Sequence, residues 1–307
     1  MRLLIVTQAV DQYDPVLGFF VRWVEEFAKH AERIEVVCLK EGTYALPGNV
    51  RVHSLGKRAG MIYHTSLAMR VRYIVRFLSL IWKLRHEYDT VFVHMNPEYV
   101  VLGGPLWRAW GKRVALWYTH KSVDLKLRLA EKFSDIIFTA SKESFRLKSD
   151  KVRVMGHGID TDFFSPDPSM ERGDWILSVG RLMPSKRHDL AIERAVREGR
   201  ALRIAGEGPE RVRLEAIARD QHATVQFLGA LTQTQLRDEY RTAAYLIHTS
   251  ETGSLDKVVL EALACGLKII TNDSALKLLE HQGPHYVREQ HSLQNLIPAI
   301  LGGIQAL

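Results

Sequence analysis

The chain has only two cysteines in 307 residues, Cys38 and Cys265, and both lie inside apolar segments. That scarcity excludes a disulfide framework and fits buried free thiols in a reducing compartment. No uninterrupted apolar run approaches the roughly 18 residues that cross a bilayer. The opening residues, MRLLIVTQAV, hold too short an apolar run for a secretory leader and read as a first strand. No His/Cys cluster has zinc spacing, and no motif for reading DNA or RNA occurs. What is present is the composition of a soluble globular protein, 46% hydrophobic and 25% charged, long enough for two domains with separate cores.

Charge is unevenly placed. Residues 1–160 hold 25 Lys and Arg against 16 Asp and Glu, while residues 161–307 hold 17 against 19, so the whole formal excess of +7 comes from the first half. A basic half serves an anionic substrate, an anionic membrane surface or a nucleic acid, and the last lacks a supporting motif.

Short β-branched runs alternate with segments of helical period almost from end to end, which predicts an α/β protein with parallel sheets. In the first half the strands fall at about Leu3–Thr7, Ile34–Leu39, Val91–His94, Val114–Tyr118, Asp135–Ala140 and Val152–Met155. A second series, ILSVG, ALRIAG, TVQFLG, AYLIHTS and LKIIT, begins after Trp175. The polar, proline-bearing stretch 165–174 reads as a linker between a domain at 1–164 and one at 175–307. Two doubly wound, Rossmann-like domains facing across a cleft is the simplest arrangement, with ligands beyond the carboxyl ends of the strands. The short stretch after Leu301 leaves little length for a final helix that returns to the first domain.

From Thr65 to His86 a long helix is expected, with Val71, Ile74, Val75, Leu78, Ile81 and Trp82 on one side and Arg72, Arg76 and Lys83 roughly opposite. Two readings stand: a packed helix with a solvated basic face, or an interfacial helix drawn to anionic lipid.

The segment SETGSLDKVVLEALACG, residues 250–266, is a Gly/Ser turn running into an apolar helix that carries one acid, Glu261. A helix start presents unpaired N–H groups and partial positive charge, so the turn is either a phosphate seat or an ordinary N-cap. GRLMPSK follows a strand and sets Arg181 and Lys186 at the mouth of the second domain, a spacing suited to a diphosphate. Gly206, Glu207 and Gly208 end the next strand, without the third glycine of a dinucleotide fingerprint. Asp160 and Asp162 spell Asp-x-Asp, but a metal there would need oxygen ligands converging on a nucleotide diphosphate, and the triplet sits in a turn at the end of the first domain, so no metal is assigned to it.

In this order, GRLMPSK, IAGEGPE, VQFLG and TSETGSLDKVVLEALACG, these elements resemble the donor-binding domain of the family 4 retaining glycosyltransferases, which have the GT-B fold; VMGHGIDTDFF is similar to the turn before that family's linker, and TQAVDQYDPVLGFFVRWVEEFAKH and SLDK are similar to a bacterial branch. The resemblance implies that Arg181 and Lys186 hold the donor diphosphate, Glu261 binds the ribose, and the backbone of Ser254, Leu255, Asp256, Lys257 and Val258 approaches the phosphates. It implies that His120, ending the strand VALWYTH, lines the donor sugar, and it leaves Gly18, His94 and Glu98 as acceptor-side candidates. The sequence departs from the pattern at Gly253, where the family carries a sugar-reading glutamate, so that role falls to Glu251 or Asp256 or is vacant. Gly18 stands alone where the family often has a pair. The expectation is a cytoplasmic, metal- and cofactor-independent transferase, peripheral at the inner face of the membrane. It would move a sugar from a UDP- or GDP-linked donor to a saccharide or lipid-linked acceptor by same-face displacement. A GT-B nucleotide-sugar epimerase and a non-catalytic nucleotide-sugar-binding protein are the alternatives.

Overall fold

A computed structural model describes residues 1–57, 66–250 and 255–307. The chain forms two compact units, residues 1–156 with 294–307 and residues 157–293. The sequence reading set the division at 165–174 because proline and charge accumulate there. The chain leaves the first unit earlier, at Gly156, and residues 165–174 belong to the second. There the Arg172 guanidinium donates to the carbonyls of Tyr240, Ala243 and Cys265, and Arg241 donates to the Ser165 carbonyl. Polar composition marked a segment that is tied down by backbone acceptors.

Unit 1 contains β1 (Arg2–Val10), α1 (Phe19–His30), β2 (Arg33–Glu41), β3 (Val50–Ser54), α2 (Leu67–Lys83), β4 (Thr90–His94), α3 (Pro97–Ala109), β5 (Arg113–Trp117), α4 (Leu125–Phe133), β6 (Ile136–Thr139) and β7 (Val152–Val154). Among the described residues these strands make one parallel sheet in the order β3-β2-β1-β4-β5-β6-β7. β1 is an interior strand, and its run from Leu3 to Val6 is fully buried, as a strand covered on both faces requires. Phe20, Val21, Val24, Phe27 and Ala28 recur at helical spacing and turn one face of α1 into the core. Asp14 accepts from the Val16 and Leu17 amides just before this helix. A side chain at Gly18 would come within 2.6 Å of the Asp14 carbonyl, so the tight turn requires glycine there.

The helix expected over 65–86 is observed as α2; its first predicted residue, Thr65, lies outside the described residues. The proposed apolar stripe packs only in part: Ile81 is buried and Leu78 lies against the core, while Val71, Ile74, Val75 and Trp82 are exposed. Leu67, Val71, Val75 and Trp82 are each at least half exposed, and the helix enters the core through Phe77 and Ile81. α2 therefore carries two adjacent apolar strips, because residues 70, 74, 77 and 81 form one row and 67, 71, 75, 78 and 82 the next.

Unit 2 repeats the architecture with β8 (Ile176–Val179), α5 (His188–Glu198), β9 (Leu202–Ala205), α6 (Arg211–Asp220), β10 (Val225–Gly229), α7 (Gln233–Thr242), β11 (Tyr245–His248), α8 (Lys257–Ala264), β12 (Ile269–Thr271) and α9 (Pro284–His291). Its parallel strand order among the described residues is β10-β9-β8-β11-β12. A reciprocal Thr232/Gln235 capping box starts α7. The final helix α10 (Leu293–Gln305) returns the chain to unit 1 from residue 294 onward, and Gly303 packs against Phe138 and Ile136 of β6. The short C-terminal stretch is thus sufficient for the return. Cys38 and Cys265 are buried free thiols, each pushed up to about 12 by burial.

The core of unit 1 contains a buried polar relay. The Trp107 indole N–H donates to the Tyr88 hydroxyl (3.0 Å), which donates to the Ile81 carbonyl (3.1 Å), joining α3 to α2. Tyr88→Phe strands the indole donor and is expected to destabilise unit 1 by about 1–3 kcal/mol. Urea denaturation followed by tryptophan fluorescence reads this, and an unchanged midpoint would show that the relay contributes nothing.

Candidate functional site

In unit 2 the crossovers from β8 and β11 run to opposite sides of the sheet, so their following loops diverge and leave a crevice at the carboxyl edge. Residues from both loops meet there. Lys186 ends the short turn after β8, and its Nζ lies 2.5 Å from Asp256 Oδ2, which belongs to the segment after β11. The same Asp256 oxygen lies 2.9 Å from His248 Nε2, and His248 Nδ1 is 3.1 Å from the Thr271 hydroxyl. The His248 ring thus bridges the Asp256 carboxylate and the Thr271 hydroxyl. Thr249 Oγ1 donates to the Lys186 carbonyl at 2.8 Å. Burial alone would raise the Asp256 carboxyl, but the His248 hydrogen bond and the Lys186 charge outweigh it and hold it at about 2.

Arg181 leaves the same β8 loop exposed, with no partner among the described residues. Its backbone is fixed by the 206–208 loop. Leu182 N–H donates to the Glu207 carbonyl (2.9 Å) and Glu210 N–H to the Leu182 carbonyl (3.1 Å). Gly206, at φ +147°, lies so close that a Cβ would be 1.9 Å from the Gly180 carbonyl oxygen, and at Gly208 it would be 2.4 Å from that of Leu182. These two glycines are thus required by contact between loops. Glu207 is exposed beside them. His188 is buried and bonds Ser178 Oγ through Nδ1 (2.9 Å); burial pushes it down to about 4.

Glu261 is buried in α8. Tyr240 donates to its Oε2 at 3.2 Å, and Lys257 Nζ stands 3.3 Å from its Oε1. Burial raises its carboxyl. Leu255 and Val258 are half-buried, and the Leu255 carbonyl accepts from His157 Nε2 at 2.9 Å. His157 N–H donates in turn to His291 Nδ1 (3.3 Å), so the turn before α8 is propped by residues 157 and 291. Burial pushes both histidines down to about 4. Glu251, Gly253 and Ser254 lie outside the described residues. Asp160 Oδ1 accepts from the Asp162 and Phe163 amides, the role of a turn cap.

The structure therefore brings Arg181, Lys186, Asp256 and the 206–208 loop to one crevice. His248, Thr249 and His157 were missed. The polar end of the apolar run in LIHTS is the signal that could have found His248, whereas nothing local distinguishes His157. In unit 1, His120 is exposed after β5, and its Nδ1 accepts from Ser122 N–H at 3.1 Å. His94 is buried, 3.3 Å from Thr7 Oγ1 and stacked on Phe20 at 4.0 Å, so it packs in the core instead of facing the sheet's edge. Glu98 is exposed in the first turn of α3 and accepts from Lys126 at 2.7 Å. Unit 1 has its own switch point, between β1 and β4, and a cavity of about 660 Å³ lies there, reaching Gln8, Asn96 and Glu98.

The Asp256 carboxyl changes from 3.8 unfolded to about 2 folded, so its contribution is complete above the first value and is lost as pH falls through the second. Asp256→Asn is expected to be less stable than the wild type by about 2 kcal/mol at pH 6. That gap should close between pH 4 and 2, as read by urea denaturation. A gap independent of pH would rule out a charged Asp256 as its source.

Residues 161–288 match the family described as Glycosyl transferases group 1. The GDP-mannose-dependent alpha-mannosyltransferase of Mycobacterium tuberculosis (strain CDC 1551 / Oshkosh) is 31% identical over 174 residues, 52% of this chain and 42% of that protein. The phosphatidylinositol N-acetylglucosaminyltransferase gpi3 subunit of Schizosaccharomyces pombe is 31% identical over 135 residues, 41% of this chain and 29% of the relative. The chain thus spans less than half the length of these curated relatives. Among solved structures, Anabaena HepE in complex with UDP and glucose superposes with a TM-score of 0.74 at 14% identity, covering 100% of both chains. WaaG, a glycosyltransferase involved in lipopolysaccharide biosynthesis, gives 0.63 at 14% identity over 99% of this chain and 93% of its own. At such identity the likeness is one of fold. The chain has the GT-B fold, and its likeness to the glycosyltransferase group 1 family lies in residues 161–288.

Proposed function

We propose that the protein is a family 4 retaining glycosyltransferase that moves a sugar from a UDP- or GDP-linked donor to a glycan or lipid-linked acceptor without a metal. The observation that carries this reading is the meeting of Lys186 and Asp256 at the β8/β11 switch point, with Arg181 exposed on the same loop and without a partner among the described residues. Two cations on a fixed backbone can take the charge that develops on a departing diphosphate, which a metal would otherwise offset. Asp256 keeps Lys186 extended into the crevice until the diphosphate competes for it. Glu261 already accepts from Tyr240 and Lys257, and a carboxylate has capacity for a further bond from a ribose hydroxyl. His120 keeps the sugar-lining role that the family resemblance implies. Transfer proceeds by same-face displacement: the acceptor hydroxyl attacks the anomeric carbon as its bond to the diphosphate breaks, and the hydroxyl proton passes to the leaving phosphate oxygen. Arg181→Ala and Lys186→Ala should each lower kcat/KM for transfer by about 10²–10³, with product stereochemistry read by NMR and EDTA without effect. Wild-type rates in both variants with every nucleotide sugar tried would overturn the assignment.

We also propose that unit 1 works at an anionic membrane surface on the cytoplasmic side. Leu67, Val71, Val75 and Trp82 of α2 are 77%, 50%, 60% and 54% exposed, and Arg72, Arg76 and Lys83 follow on the adjoining face. Exposed apolar side chains flanked by cations suit insertion beside anionic headgroups. The protein should float with phosphatidylglycerol vesicles, and Arg72→Glu with Arg76→Glu should abolish flotation. Binding that survives the double reversal sinks the idea.

A further inference from the structure

The unit 1 cavity has three chemically distinct parts. Its polar floor is Gln8 of β1 and Asn96 after β4, at the carboxyl edge where strand order reverses. Its walls are apolar, with Leu39 and Leu55 on one side and Tyr73, Ile74 and Phe77 of α2 on another. Among the described residues its cations are Lys57, Arg70 and Lys126, against the single acid Glu98. Glu98 is already committed to Lys126 at 2.7 Å, and Arg70 stands near enough to oppose that lysine's positive charge. Like charges held together beside an apolar wall leave an excess that an anion would offset. A volume of about 660 Å³ lies within the roughly 300–1,000 Å³ of small-molecule sites. Ile74 lines the cavity and is also 37% exposed, where the apolar row inside meets the exposed strip of Val71 and Val75.

From this arrangement we infer that the cavity takes an anionic amphiphile, a phosphate ester of a long apolar chain. The phosphate lies among Lys57, Arg70 and Lys126. The chain runs along Tyr73, Phe77 and Ile74 and leaves over the exposed strip of α2. The inference rests on the transferase reading in one respect, that the amphiphile is the anchoring part of the acceptor. Its polar floor then meets hydroxyls of the group carried beyond the phosphate.

Binding alone tests it, with no need of turnover. Titration of the whole protein with farnesyl phosphate, below its micellar concentration and followed calorimetrically, should give saturable binding at one site. Farnesol and inorganic phosphate should each bind at least tenfold more weakly. Arg70→Glu and Ile74→Asp, both at solvent-accessible positions, should each weaken farnesyl phosphate at least tenfold, while Arg113→Glu, a cation elsewhere on unit 1, should not. Equal binding of farnesol overturns the role of the cations, and equal binding of inorganic phosphate overturns that of the apolar wall. Equal loss in Arg70→Glu and Arg113→Glu reduces the effect to general charge and overturns the site. Thermal shifts with UDP and GDP on the same samples separate this inference from the transferase reading: stabilisation by nucleotide with no farnesyl phosphate binding refutes the cavity assignment and leaves the donor site standing.

Discussion

The contact on which the crevice of unit 2 depends is the Lys186–Asp256 ion pair, because it spans the place where the sheet leaves two neighbouring loops apart. Parallel strands whose crossovers run in opposite directions cannot hold their outgoing loops together through the ladder. Here a charge pair, a His248 hydrogen bond and the Thr249 contact with the Lys186 carbonyl do so. On the other side, close backbone approach through Gly206 and Gly208 fixes the start of the same β8 loop. The Arg181 backbone is therefore held on both flanks while its side chain is exposed. A cation on an immobile base is already placed for an anion, and little ordering remains to be done when the ligand arrives.

Unit 1 uses the same topology with different chemistry. Its strand order also reverses beside the first strand, but the crevice between β1 and β4 is walled by α2, which reaches the sheet through Phe77 and Ile81. That crossing makes an apolar wall where unit 2 has polar loops. The charge excess legible in residues 1–160 acquires a location here, since Lys57, Arg70 and Lys126 gather at one cavity and Arg72 and Arg76 continue along the exposed helix. A basic composition says only that an anion is favoured; cations set beside apolar side chains favour an anion that also carries apolar surface.

Strands were legible because buried parallel strands are unbroken β-branched runs, and all five in unit 2 fall where that pattern puts them. β3 escaped because VRVHS is short and half exposed at the sheet's edge. The periodicity of α2 gave the helix but not its buried side, since two apolar rows differ by only about one residue's rotation and the sequence does not say which one the sheet covers. His94 was read as a site residue because it ends a strand, yet its ring stacks on Phe20 from a helix some 70 residues earlier, a long-range contact with no local signature. The same limit hid His157, whose hydrogen bond to Leu255 joins residues 98 apart in the chain. Arg181 and Lys186 were legible because both belong to one contiguous loop. Asp256 was ambiguous because its meaning lies in its partner, 70 residues away.

The histidines show how these parts combine. His157, His188 and His291 are all pushed down to about 4 by burial, so they are neutral across the physiological range and act through hydrogen bonds. Two of them, His157 and His188, brace the segments that carry Asp256 and Lys186. Positive charge in the crevice is thus left to lysine and arginine, residue types that remain protonated where a histidine would titrate. On the proposed reading, a diphosphate seat built in this way would keep its charge constant while uncharged rings set its geometry. Charge and bracing thus fall to different residues, Arg181 and Lys186 for the one and His157 and His188 for the other.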